Sequence, residues 1–110
     1  MKTIDFNGKK INVGFNLAVM LEAEETFGQS VDELMKDNSL PAVIRAAYCC
    51  IKVHNDDVPP FREWAKLVCN VEYLTALMRA VNEEMAKFYS INKKYSSGEK
   101  EKEGEDTKNA

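Results

Sequence analysis

The tripeptide Gly28-Gln29-Ser30 is the strongest single constraint on this chain. It separates two apolar-periodic stretches within "FNLAVMLEAEETFGQSVDEL", residues 15–34. Glycine enters the left-handed conformation that ends a helix without steric cost. Ser30 with Glu33 makes a capping box: the serine side chain accepts from the backbone of the third helical residue, and the glutamate reaches back to the cap. One helix must therefore stop and another start across this tripeptide. Asn16, just before the first apolar run, is placed to accept from the free N–H groups at the start of the earlier helix. Leu17, Met20, Leu21 and Phe27 fall on roughly one face and predict its core side, with Glu22, Glu24 and Glu25 off that face or at its edge. Val31, Leu34 and Met35 are the apolar positions of the second, shorter helix.

Upstream, "KTIDFNGKKINV" alternates with a period of two. Ile4 and Phe6 precede Asn7-Gly8, and Ile11 and Val13 follow it. Both turn residues tolerate the positive φ of a type I′ turn, so the stretch predicts a β-hairpin. A lone hairpin is marginal in water and must lie on something, and the helices are the candidate. Downstream, Ser39 and Pro41 suit a helix start, and Leu40, Val43, Ile44, Ala47, Cys50 and Ile51 keep helical spacing. Asn55-Asp56-Asp57 and Pro59-Pro60 break the chain. A fourth helix then presents Phe61, Trp64, Ala65 and Val68 on one side. The fifth and longest runs from about Val71 to Lys93, with Val71, Leu74, Leu77, Met78, Val81, Met85 and Phe88 at threes and fours. Glu83 and Lys87 suit an ion pair on its surface.

After Tyr95 the composition changes abruptly. "SSGEKEKEGEDTKNA" holds no hydrophobic residue before the final Ala110, so it has nothing to bury against the entropy of ordering. The expected architecture is mainly α: one domain over residues 1–95, with a hairpin over 1–14 and five helices, and a disordered charged tail over 96–110.

Bulk properties narrow the function. The 110 residues suit one domain with its own core. A net charge of −3 gives no basic footprint for nucleic acid. The N-terminus has no apolar signal segment and no run is long enough to span a membrane, so a cytoplasmic protein is expected. Three cysteines do not make a disulfide framework.

Chemistry-bearing clusters are sparse. Cys49, Cys50 and His54 come nearest to a metal site or a Cys/His pair, but the paired cysteines of a zinc site are missing. They read more simply as small core residues and a histidine at a helix end. Glu22, Glu24, Glu25, Glu83 and Glu84 read as solvated helix faces rather than paired catalytic carboxylates. The five glycines are scattered singly, so no phosphate loop exists. No catalytic, cofactor-binding or metal-binding residue is therefore expected. Phe88, Tyr89 and Ile91, three bulky side chains crowded near the end of the long helix, either pack under the hairpin or form a partner-binding surface.

The order of elements, the hairpin leading into Phe15–Gly28, the join "ETFGQSVDEL" and the charged tail together resemble the tail assembly chaperones of long-tailed bacteriophages and prophages. The resemblance spans about residues 1–95. It implies a small, non-enzymatic protein, cytoplasmic in the infected host and absent from the mature virion, with the tape measure protein and the tail tube protein as partners. It allows a homo-oligomer and implies no cofactor, nucleic acid or membrane. It also implies a longer product made by ribosomal slippage near the end of the gene. Lys93-Lys94 and Lys108-Asn109 are the two candidate slip sites, the second being favoured. The rival readings are a small DNA-binding transcriptional regulator and a small enzyme using a Cys/His pair.

Overall fold

The computed structural model describes residues 1–68 and 70–100, with side chains described through Ile91. Strands β1 (Lys2–Phe6) and β2 (Lys9–Val13) are antiparallel, with Ile4 opposite Ile11 and Phe6 opposite Lys9. Asn7 and Gly8 adopt φ of 52° and 80°, the two positive values that a type I′ turn requires. Among the described residues five helices follow: α1 (Leu17–Phe27), α2 (Val31–Asp37), α3 (Leu40–Lys52), α4 (Phe61–Leu67) and α5 (Val71–Lys100).

The helix ends follow local chemistry. Asn16 Oδ1 accepts from the Val19 N–H at 3.2 Å. Gly28 closes α1 at φ 68° and donates to the Glu24 carbonyl. Both halves of the Ser30/Glu33 capping box form, at 3.1 and 2.8 Å. Ser39 caps α3 by accepting from the Ala42 N–H, and Pro41 sits in its first turn, where a missing N–H costs nothing. The backbone of α5 continues past the expected end at Lys93 to Lys100. Extending a formed helix is far easier than starting one, and Glu99 and Lys100 are good helix formers. Lys93-Lys94 therefore lies within the α5 backbone. The rest of the expected tail, with Lys108-Asn109, lies outside the described residues.

The core is built around α3. From Ala46 to Ile51 every residue is buried. Helices α1 and α2 pack on one side of it, and α5 and β2 on another. Tyr48 is at its centre, touching Phe27, Phe61 and Trp64 and donating its hydroxyl to the Pro59 carbonyl at 2.7 Å. The hairpin lies mainly on α5. Val13 is fully buried, Ile4, Phe6 and Ile11 are half-buried, and the Phe6 ring stacks on Tyr73 at 4.3 Å.

The core side of α1 differs from its expected one. Val19 and Ala23 are buried, Met20 and Phe27 are partly buried, and Leu17 and Leu21 are 67% and 60% exposed. At 3.6 residues per turn, positions two apart lie about 200° round the helix. Turning Val19 and Ala23 onto the core therefore turns Leu17 and Leu21 outward. Leu40 and Val71, each the first residue of its helix, are also exposed rather than in the core.

Candidate functional site

The Cys49, Cys50 and His54 cluster is a packing feature. Both thiols are buried on α3. Burial is the main cause that pushes each up to about 12, which leaves almost no thiolate near neutrality. His54 lies beyond the end of α3, half-buried, with its ring set against the backbone of Gly14. A β-carbon at Gly14 would fall 2.7 Å from His54 Nε2. That nitrogen is buried without a hydrogen-bond partner. Burial and the N-terminal ammonium hold the imidazole below its ordinary pKa, against the opposing charge of Glu84. Among the described residues no group of three or more metal-ligating side chains is placed to hold an ion.

The carboxylates do not all lie on solvated faces. Glu84 is 6% exposed. Its Oε1 lies 3.3 Å from the N-terminal nitrogen. Lys87 Nζ lies 3.2 Å from Oε2, close enough for charge but without the alignment of a good hydrogen bond. Burial raises the Glu84 pKa, yet the contacts of Lys87 and the N-terminus outweigh it, and the net shift is downward. The expected Glu83–Lys87 pair is not formed: Lys87 turns to Glu84, and Glu83 pairs with Lys2 at 2.8 Å. The signal for Glu84 was present in the sequence. Its position continues the buried stripe of Leu77 and Val81 toward Phe88, so docking that stripe takes the carboxylate inward.

Phe88, Tyr89 and Ile91 separate into three environments. Phe88 is half-buried and meets Phe15 edge-to-face at 5.1 Å. Tyr89 is 38% exposed and donates to Asp32 Oδ1 at 3.1 Å, which ties α5 to the start of α2. Ile91 is 51% exposed. The aromatic pair thus packs against Phe15, just beyond the hairpin.

Two further features have no counterpart among the candidate sites named from sequence. Asn55 works as a false strand: it accepts from the Asn12 N–H at 2.9 Å and donates to the Asn12 carbonyl at 2.7 Å. It also donates to the Ile51 carbonyl at 2.8 Å. This closes the outer edge of β2 against the end of α3. Beside it opens a cleft of about 390 Å³ between the hairpin, the 53–60 loop, α4 and the start of α5. Phe6, Ile11, Ile51, Val58, Trp64 and Tyr73 form its apolar wall, and Lys9, Asp56 and Asp57 are the charged residues that line it.

No protein-family model, curated protein or solved structure matches the chain. No described helix is long and apolar enough to cross a membrane.

Proposed function

We propose that the protein is a tail assembly chaperone of a long-tailed bacteriophage or prophage. In this reading it is non-enzymatic, works in the host cytoplasm, and holds the tape measure protein, the tail tube protein or both before the virion is complete. One observation supports it above the others. In a domain whose first three helices carry side-chain N-caps, large apolar side chains stand outside the core: Leu17, Leu21, Leu40, Leu67, Val71 and Ile91 are each more than half exposed. Apolar groups left in water at several places suit a protein that covers apolar surface on another chain. The likeness of the hairpin, the Phe15–Gly28 helix and the "ETFGQSVDEL" join to those chaperones narrows the partner to a tail component. The acidic balance favours solubility at high copy number.

Co-expression with the tape measure protein of a long-tailed phage is the direct test. The partner should be soluble with this chain and aggregate without it, and Leu17→Ser/Leu21→Ser should weaken the effect. Equal solubility with and without the chain would overturn the reading. The DNA-binding alternative is checked by gel shift at low salt, where nonspecific binding is strongest.

A further inference from the structure

The charge around the cleft specifies what enters it. Asp56 and Asp57 stand at one side, and Asp57 is held at φ 59°. An adjoining hollow of about 250 Å³ shares the Phe6 and Tyr73 walls and adds Asp5 and Glu72. Among the described residues Lys9 is the only cation lining either space. Asp5 is neutralised by Lys10 at 2.9 Å, but among the described residues Asp56, Asp57 and Glu72 have no ion-pair partner. An apolar floor beneath unpaired carboxylates suits a side chain that is large and apolar and has a cation beside it.

The chain's own segments fit this poorly. The last ten residues, "EKEGEDTKNA", have no large apolar side chain to offer. The exposed Leu17–Leu21 pair is followed by Glu22, Glu24 and Glu25, which would set like charge against like. We infer that the cleft of Phe6, Trp64 and Tyr73 is a docking site for a helical segment of a partner protein carrying an apolar anchor flanked by lysine or arginine. The inference rests on the chaperone reading and adds the place and the chemistry of its contact. The anchor enters between the hairpin and α4, and its basic neighbours pair with Asp56 and Asp57. Both partner charges are at the rim, so they select the partner more than they hold it.

Trp64 is the only tryptophan of the chain and lines the cleft, so its emission reports occupancy. The probe is a tryptophan-free synthetic helical peptide with leucine and phenylalanine on one face and lysine on the other. Its control is the same peptide with every lysine replaced by glutamate. With the full chain, the basic peptide should shift Trp64 emission and bind roughly tenfold more tightly than its acidic twin, as expected for two exposed charge pairs. Asp56→Asn/Asp57→Asn should remove most of that preference. Asparagine tolerates the left-handed position 57, so the variant should keep its fold. Leu67→Lys, at a cleft residue 59% exposed, should weaken the basic peptide without unfolding the domain.

Equal binding of the two peptides, binding of neither, or a preference unchanged in the asparagine variant would overturn the inference. So would self-association in sedimentation that Leu67→Lys abolishes, since a second copy would then fill the cleft. Tighter binding of a small apolar dye than of the basic peptide would make it a small-molecule site and would overturn it as well. If neither peptide binds while the co-expressed tail component still stays soluble, the cleft is refuted and the chaperone reading survives.

Discussion

Helices α3 and α1 both carry apolar residues at helical spacing, yet they have opposite fates. Helix α3 is enclosed: α1, α2, α5 and β2 all contact it, and even its tyrosine and both cysteines are buried. Helix α1 is covered on one side only, and two leucines point away from the core. Apolar periodicity therefore shows that a helix has a face to bury, while the number of neighbours decides how many faces are covered. The enclosed helix carries the stability. The half-covered one leaves surface for a partner.

That contrast breaks first, and by most, at Tyr48. Tyr48→Ala should cost about 4 kcal/mol, because a fully buried aromatic side chain leaves a cavity among Phe27, Phe61 and Trp64. Tyr48→Phe should cost only about 1 kcal/mol, the share of the hydroxyl on the Pro59 carbonyl. Chemical denaturation measures both. A loss below 1 kcal/mol for the alanine variant would show that α3 is not the centre of the fold.

The next effect tests where β2 docks on the end of α3. Gly14→Ala drives a methyl group into the His54 ring and should destabilise by roughly 2 kcal/mol. In a His54→Ala background the same change should cost much less, giving a clear coupling in a double-mutant cycle. Additive losses would mean that the ring moves aside freely.

A smaller effect comes from acid. The folded pKa of His54 lies below its ordinary value of 6.5. A depressed pKa means that the native state binds the proton less well than the unfolded one. The contribution is thus fully present above pH 6.5 and is lost as pH falls below it. Glu84, also depressed, from 4.5, adds a second loss that begins below that value. Melting temperature should therefore fall in two stages between pH 7.5 and 3. His54→Gln should flatten the first stage and Glu84→Gln the second. A single transition unaffected by His54→Gln would contradict the assignment.

The smallest effect is expected on the outer face of α1. Leu17→Ser and Leu21→Ser should each change stability by no more than about 0.5 kcal/mol, as is usual for exposed side chains outside the core that make no capping bond themselves. Thermal melts check this directly. A loss of 2 kcal/mol or more would show that this face is covered within the domain and is not open to a partner.

Much of the architecture was legible in the residues because its signals are local. The Asn7-Gly8 turn, the Ser30/Glu33 box, the Gly28 stop and the Ser39 cap each act over a few residues, so each formed where expected. The candidate site was far less legible. The inward turn of Glu84, the outward turn of Leu17 and Leu21, and the 390 Å³ cleft depend on which helix lies against which. Residues 88, 89 and 91 were visible as a crowded apolar group, but only packing assigned Phe88 to Phe15 and Tyr89 to Asp32.

By itself the sequence determined the number and kind of elements, the capped ends of α1, α2 and α3 though not the far end of α5, and a core rich in small and aromatic residues. Hydrogen bonds at turns and caps close within a few residues, and helical period is a property of a single segment, so neither needs a neighbour. The tertiary structure decided which face of each helix is inside, and it alone joined Asn55 to Asn12 and His54 to Gly14, residues about forty positions apart. Those contacts exist only once α3 has carried the chain back alongside β2, because the energy of a buried face or a closed strand edge comes from the element opposite it.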